Sequence, residues 1–308
     1  MLSYYKTSGG LMHKKDKCEH GAWVNCTIPL EEEIKIISKE LNIDLDFLKS
    51  ALDEEESSRF DINDDVILIV IDIPIAIKSD KSFTYYTTPL SIFLTKDNVI
   101  TITLKNSDII NSFAAGRIKK GDTSDKTNFI LNIILYAASR YLRYLNQIIK
   151  NSDRIEKSLR KSMKNTELIQ LLEIEKSLVY FSSSLKTTKV TLEKLFRAKF
   201  LDPDESDEDL MDDVLIEIKQ AIEMTDTYLN IVSGTMEAFS SIISNNLNVV
   251  MKVLASLTLI ISIPTVISGI YGMNNPGIPM LDCWWFPIVL SIILMILTFW
   301  ILRKKDMI

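Results

Sequence analysis

Asn248-Val249-Val250-Met251-Lys252-Val253-Leu254-Ala255 opens a run that ends Ser262-Ile263-Pro264-Thr265-Val266-Ile267-Ser268-Gly269-Ile270-Tyr271-Gly272-Met273-Asn274-Asn275-Pro276-Gly277. Read as one helix over 227–269, the chain carries a stripe spaced alternately three and four apart, so its members lie above one another on one face. The stripe is Thr227, Asn230, Gly234, Glu237, Ser241, Ser244, Asn248, Met251, Ala255, Thr258, Ser262, Thr265 and Gly269. Met251 is its one bulky apolar member. The other faces over 249–270 are mostly Val, Leu and Ile, with Lys252 the single charge. The pattern is an inverted amphipathic helix, since polar groups at membrane depth must face a partner or a water-filled cavity. The helix is expected to stop at Tyr271-Gly272-Met273-Asn274, where Asn275-Pro276-Gly277 forbids continuation.

Small residues on a membrane helix also serve close helix packing, so the spacing alone leaves two readings open. The turn adds specificity. A membrane helix ending in Tyr271-Gly272-Met273-Asn274, then a short loop and a last membrane helix, resembles the CorA family of magnesium channels. Asn248 to Leu254 at the helix entrance, and Ile263-Pro264 followed by Ser268-Gly269-Ile270, extend the resemblance. It covers the chain in order from Trp23 onward and is strongest over 245–275.

The composition is compatible with that reading. The 308 residues suffice for a large soluble domain and membrane spans, and the 47% hydrophobic content is concentrated late in the chain. Windows 253–271 and 284–302 are each near the roughly 20 residues a bilayer requires. Residues 1–17 contain no apolar signal-peptide core, so the N-terminal region is expected in the cytoplasm. Arg303, Lys304 and Lys305 follow the second window, whereas 272–283 has no Lys or Arg. Both termini are therefore expected inside a cell membrane and the loop outside. The net charge of −6 argues against a nucleic-acid partner and is compatible with divalent cations. Three scattered cysteines do not make a disulfide framework. His13, Cys18, His20 and Cys26 match no regular zinc spacing. Asn25-Cys26-Thr27 in a cytoplasmic domain is not a glycosylation site.

The fold class expected is an α+β membrane protein in three regions. Residues 1–124 form a cytoplasmic αβ domain, 125–248 a region of long antiparallel helices and a stalk, and 249–308 two transmembrane helices around the external loop 272–283. In the first region, 23–29 reads as a strand, 30–41 as an amphipathic helix with acids at Glu31, Glu32 and Glu33, and 47–52 as a short helix. Residues 66–73 form a β-branched run too apolar for a one-sided strand, expected to be central and doubly buried up to Pro74. Strands at 85–94 and 98–104 flank a Lys96-Asp97 turn. No phosphate loop and no grouping of nucleophile, histidine and acid is present, so an enzyme is not expected. Residues 129–164 and 167–200 read as two long antiparallel helices broken at Lys164-Asn165-Thr166, and the helix after Asp207 supplies their third partner.

What the resemblance implies is a pentameric funnel that imports hydrated Mg²⁺, and Co²⁺ as well. Mg²⁺ keeps its waters tightly, and neutral amide oxygens can bind it with that shell intact. By resemblance Asn274 is the selectivity residue, with Gly272 and Met273 holding the turn; Tyr271 packs and anchors. Resemblance places Asn248 and Met251 at the cytoplasmic throat, with Leu254 a second candidate for the apolar gate. The stripe members Ala255, Thr258, Ser262, Thr265 and Gly269 would line the path. Ser262 stands where the family often has a bulky methionine, and the interval from Pro264 to Tyr271 is one residue short, which implies a shorter gate. Eight of the twelve residues 202–213 are acidic. They serve helix capping and solubility, or else Asp209, Asp212 and Asp213 bind regulatory Mg²⁺ between subunits. Asp282 is either an ion-concentrating charge or a solvated loop acid. Two alternatives stand beside magnesium transport: a zinc transporter of the same superfamily, ZntB-like, which the intact Gly272-Met273-Asn274 disfavours, and a membrane-anchored helical scaffold without transport. Membrane lipid and copies of the chain itself are the expected partners.

Overall fold

The computed structural model describes residues 1–78, 83–118, 121–162, 165–198, 201, 205–273, 277–280 and 283–307. The chain divides into two compact units, Met1–Gly234 and Thr235–Ile308. One helix, α6 (Glu205–Tyr271), supplies the last element of the first unit and the first element of the second.

The first unit is built on a seven-stranded sheet of β1 (Leu2–Ser8), β2 (Leu11–Lys15), β3 (Trp23–Thr27), β4 (Arg59–Asn63), β5 (Val66–Lys78), β6 (Phe83–Leu94) and β7 (Val99–Thr103), in the spatial order β2-β1-β3-β7-β6-β5-β4. β3 and β7 pair in parallel, and the other neighbours are antiparallel. The β-branched run at 66–73 is doubly buried as expected, with Leu68, Ile69, Val70, Ile71 and Ile73 all inaccessible. Contrary to expectation, the strand continues through Pro74 to Lys78, because the ladder permits it there. β4 pairs with β5 only as far as Val70, so beyond that residue one edge of β5 is open. Pro89 of β6 sits in the same situation, one residue past Leu90, where β7 ends opposite Thr103. A missing N–H is harmless beside an open edge.

Alternation along the strands sends two apolar sets to opposite faces. Val24, Cys26, Leu68, Val70, Phe93, Ile100 and Ile102 pack with Ile34 and Ile37 of α1 (Glu31–Leu41) and Leu48 of α2 (Leu45–Lys49), which runs into a single 3₁₀ turn at Ser50–Leu52. Glu33 fixes this layer: its carboxylate accepts from the N–H groups of Leu2 and Leu30 at 2.7 and 3.0 Å. The opposite face is covered by α4 (Lys126–Ser162) and α5 (Asn165–Arg197), with α3 (Asp108–Ala114) packed on α4. Ring pairs Trp23–Phe129 at 5.3 Å, Tyr85–Tyr144 at 5.2 Å and Tyr141–Phe181 at 4.9 Å mark this second core. Within the same unit α6 buries Leu210, Met211, Val214, Ile218, Ala221, Thr225 and Val232, spaced by three and four from Met211 to Thr225. It is tied to α5 by Lys186–Asp226 at 2.8 Å, by Ser182 Oγ donating to Asp226 at 2.7 Å, and by Ser233 Oγ donating to Glu175.

Asp72 lies in β5 beneath α4 and α5. Ser58 Oγ donates to its carboxylate at 3.3 Å, its N–H reaches Thr188 Oγ1 at 3.4 Å, and the Tyr141 hydroxyl donates to its carbonyl at 3.1 Å. Burial pushes the Asp72 carboxyl above its ordinary range, against the opposing pull of the Ser184 and Ser58 hydroxyls. A raised folded-state pKa means that the folded chain holds the proton longer, so stability falls as pH rises from the ordinary value of about 4 through the folded one. Asp72→Asn, which carries no charge to bury, is expected to raise the thermal unfolding midpoint at pH 7, with the gain shrinking as the pH is lowered towards 4. Thermal unfolding of the full chain across that pH range measures it.

Candidate functional site

The second unit contains the remainder of α6 and α7 (Phe286–Lys304), and both helices are long and apolar enough to cross a bilayer. The packed face of α6 in this unit is carried by Ser256, fully buried, and Ile267, 7% exposed, with Ile260, Ile263, Pro264 and Tyr271 half-buried. The matching face of α7 has Ser291 and Leu302 buried and Leu290, Leu294, Met295 and Thr298 half-buried. Two contacts close the pair near its ends. Tyr271 lies against Phe286 with ring centroids 6.1 Å apart, and Ser256 Oγ donates to the Met307 carbonyl at 3.2 Å.

The stripe lies on another side of α6. Asn248, Met251, Ala255, Thr258, Ser262, Thr265 and Gly269 are all exposed, Met251 at 56%, and Leu254 beside them is 54% exposed. At 3.6 residues per turn the mean directions of the stripe and of the packed face differ by about 160°. Packing against α7 therefore does not use the small residues, so intrachain helix packing is not what the stripe serves. Its hydroxyls are satisfied on their own helix: Thr258 Oγ1 donates to the Leu254 carbonyl and Ser262 Oγ to the Leu259 carbonyl, each at 2.8 Å. Each hydroxyl thus spends its proton inward and keeps an accepting oxygen for the outside.

The helix ends where the sequence predicts, at Tyr271. Gly272 N–H still reaches the Ser268 carbonyl at 2.9 Å, and Met273 N–H closes a tighter turn on the Ile270 carbonyl at 3.1 Å. A Cβ on Gly272 would stand 3.1 Å from the Ser268 oxygen, so glycine lets this turn close without displacing its own acceptor. Tyr271 anchors the turn as expected, its hydroxyl donating to the Pro279 carbonyl at 3.2 Å. Met273 is exposed. Asn274 and Asp282, which the sequence reading singled out, lie outside the described residues.

A family model described as a CorA-like Mg²⁺ transporter protein matches residues 19–304. The chain belongs to that family. Its members are transporters rather than enzymes. The chain is 28% identical over 295 residues to the cobalt/magnesium transport protein CorA of Methanocaldococcus jannaschii, a match covering 92% of this chain and 90% of the relative. The complete structure of the CorA magnesium transporter from the same organism superposes with a TM-score of 0.84 at 23% identity, over 100% of this chain and 99% of that one. The cytoplasmic domain of ZntB from Vibrio parahaemolyticus superposes with a TM-score of 0.61 at 14% identity, over 79% of this chain and 96% of that one. At that identity the last likeness concerns the fold.

In this CorA-like chain the acids at the start of α6 separate by burial. Asp207 is buried and accepts from the Asn128 amide at 3.0 Å, whereas Asp209, Asp212 and Asp213 are exposed on the side of the helix away from buried Leu210, Met211 and Val214. Their oxygen donors suit a hard cation. Among the described residues no three His, Cys, Asp or Glu side chains of the chain converge as a metal site. Sequence reasoning missed Ser256: it lies next to stripe residue Ala255 and looks like another small polar residue, yet it faces the opposite helix. Tyr271→Phe should keep the ring pair with Phe286 and lose the bond to Pro279, a loss of about 1 kcal/mol. Faster hydrogen exchange at residues 277–280 with unchanged exchange in α7 is the expected outcome.

Proposed function

We propose that the chain is one subunit of a divalent-cation channel in the cytoplasmic membrane, which imports hydrated Mg²⁺, and Co²⁺ as well, down the membrane potential. The observation that carries this reading is the stripe from Asn248 to Gly269, exposed and turned away from α7 in a chain of the CorA-like Mg²⁺ transporter family. One subunit offers one stripe, so a path requires several copies around an axis; a pentamer is the arrangement we adopt. The names of the cobalt/magnesium relatives support the choice of ions. With Arg303, Lys304 and Lys305 inside and the loop 272–283 free of Lys and Arg, both termini are cytoplasmic and the entrance is external. The potential then contributes about 4.6 kcal/mol per 100 mV for a divalent ion, twice the value for one charge.

In this reading Asn274 offers amide oxygens to the hydrated ion at the entrance, and Gly272 and Met273 hold it in place. The stripe carries the ion with its waters past Gly269, Thr265, Ser262, Thr258 and Ala255. Met251, with Leu254 and Asn248, forms the constriction, a ring of apolar side chains able to exclude water when closed. Asp209, Asp212 and Asp213 sense cytoplasmic Mg²⁺. By the family resemblance these acids meet those of a neighbouring subunit. Bound Mg²⁺ offsets carboxylate repulsion and favours the closed arrangement.

The reading is tested by uptake into liposomes containing the purified full chain. Mg²⁺ flux is expected, Asn274→Ala should abolish it with the oligomer intact, and Thr258→Leu or Ser262→Leu should impair it by at least tenfold. Zn²⁺ flux without Mg²⁺ flux would assign the protein to zinc, and no flux of either would leave a scaffold. Replacing Asp209, Asp212 and Asp213 together by Asn should weaken inhibition of uptake by internal Mg²⁺. An unchanged inhibition curve would assign the three acids to solubility and capping.

A further inference from the structure

Where β4 stops pairing, opposite Val70, a cleft of about 290 Å³ opens between β5, β6, α5 and the chain segment 54–57. α5 closes one side of it: the hydroxyls of Ser58 and Thr188 share a bond at 2.9 Å, and Thr191 Oγ1 donates to the Ser58 carbonyl at 2.8 Å. Asp72 lines the cleft. A carboxylate has about four acceptor sites, and the hydroxyls of Ser58 and Ser184 are the groups that bond this one. Among the described residues no Lys, Arg or His forms an ion pair with Asp72. The cleft therefore holds a partly buried carboxylate whose charge the described chain leaves uncompensated, which is costly.

The rim of the cleft narrows down what would neutralise it. Tyr86 and Tyr180 line it, 38% and 48% exposed, and lie against each other with ring centroids 6.0 Å apart. Such a ring pair offers apolar contact to carbon and a negative π face to a cation. Of the three glutamates that line the cleft, Glu54 is paired with Lys105 at 3.1 Å and Glu56 with Arg59 at 3.0 Å, whereas Glu55 is exposed and has no ion pair among the described residues. A metal ion would need several oxygen ligands at once, and among the described residues no three His, Cys, Asp or Glu side chains converge. One inner carboxylate, an aromatic pair and one outer carboxylate instead match a short carbon chain with a positive charge at each end.

We propose that this cleft binds a linear alkyl diamine, with one ammonium on the Asp72 carboxylate, the methylenes against the rings of Tyr86 and Tyr180, and the second ammonium at Glu55. The volume is at the small end of the range for ligand clefts, which suits a ligand of this size. Binding removes the cost of the lone inner charge, and the ammonium can donate to the acceptor sites that the two hydroxyls leave open. The site lies wholly in the first unit, so the inference is independent of the transport reading and of the ion transported.

The test is isothermal titration calorimetry of putrescine, a four-carbon diamine, into the purified full chain in detergent, with Mg²⁺ in excess to occupy exposed acids elsewhere. One saturable site per chain is expected. Asp72→Asn, whose fold the loss of a buried charge should favour, is expected to weaken binding by at least about tenfold. Tyr180→Ala should weaken it about three- to tenfold. Glu55→Gln should weaken putrescine about two- to fivefold and leave n-butylamine, which has one ammonium, unchanged. An affinity unchanged in Asp72→Asn would place the amine elsewhere and overturn the proposal, and so would the absence of saturable heat from the wild type. Equal losses for putrescine and n-butylamine in Glu55→Gln would overturn the assignment of the second ammonium. Asp72-dependent putrescine binding that appears only when Mg²⁺ is omitted would make the cleft a metal site and overturn the diamine assignment. Thermal unfolding checks each variant, and if Asp72→Asn does not fold, Tyr180→Ala and Glu55→Gln decide. Mg²⁺ flux does not enter these readouts, so their failure leaves the transport reading standing.

Discussion

A polar group inside a bilayer has no bulk water to bond, and the second unit is arranged around that constraint. In the second unit every hydroxyl for which a bond is described donates to a carbonyl: Thr258 to Leu254, Ser262 to Leu259, Ser291 to Pro287, Ser256 to Met307 and Tyr271 to Pro279. What differs is where the remaining acceptor capacity points. Ser256 and Ser291 are buried, whereas Thr258 and Ser262 are exposed. Waters around a cation turn their hydrogens outward, so a surface of oxygens with their own protons committed elsewhere is matched to a hydrated cation rather than to a bare one. On the proposed reading the stripe from Asn248 to Gly269 consequently needs no formal charge to favour a hydrated cation, and a path there without carboxylates avoids trapping it.

The first unit solves a different problem, that of a wide sheet with both faces covered. Seven strands between α1 and α2 on one side and α4 and α5 on the other bury nearly all of β3, β5 and β7. β4 and β7 end early enough to leave Pro74 and Pro89 beside open edges, and the strands that carry those prolines continue past them. α5 lies over β5 and β6, and it is also the helix to which α6 is tied by Asp226, Ser182, Lys186, Glu175 and Ser233. Lys186, bonded to Asp226, holds that carboxyl below the usual carboxylate range, so the tie is weakened only as the pH falls through the lowered value.

How much of this was legible in the sequence depended on whether a local pattern or a distant partner decides the structure. The ends of α6 and α1, the long helices α4 and α5, and the doubly buried run of β5 follow from periodicity, turn residues and β-branching, all local signals. β1, β2 and β4 did not stand out, because Leu2–Ser8, Leu11–Lys15 and Arg59–Asn63 are largely polar strands at or near sheet edges, where half-exposure erases the apolar signature. The passage of β5 through Pro74 was unreadable because it depends on where β4, a separate strand, stops pairing. In the membrane unit the stripe was readable from spacing, but its separation from the packed face was not, since Ala255 and Ser256 are adjacent small residues and only α7 distinguishes them.

The same separation bears on where a gate can lie. On the proposed reading a closed channel needs side chains that reach the axis and shed water. Gly269, Thr265, Ser262, Thr258 and Ala255 are too short or too polar to do both, and Ser262 occupies the one inner level where the resemblance would have supplied a methionine. Met251 is the one large apolar side chain on the line itself, and the gate candidates Met251 and Leu254 are both exposed at its cytoplasmic end, next to Lys252. The dry barrier is then confined to about one helical turn. A barrier that short, at the level where α6 leaves the apolar layer, can be opened by a modest displacement of α6 without disturbing the pairing of Tyr271 with Phe286 at the other end of the span. On that reading selection at the entrance and closure at the throat are mechanically separate, set at opposite ends of one span.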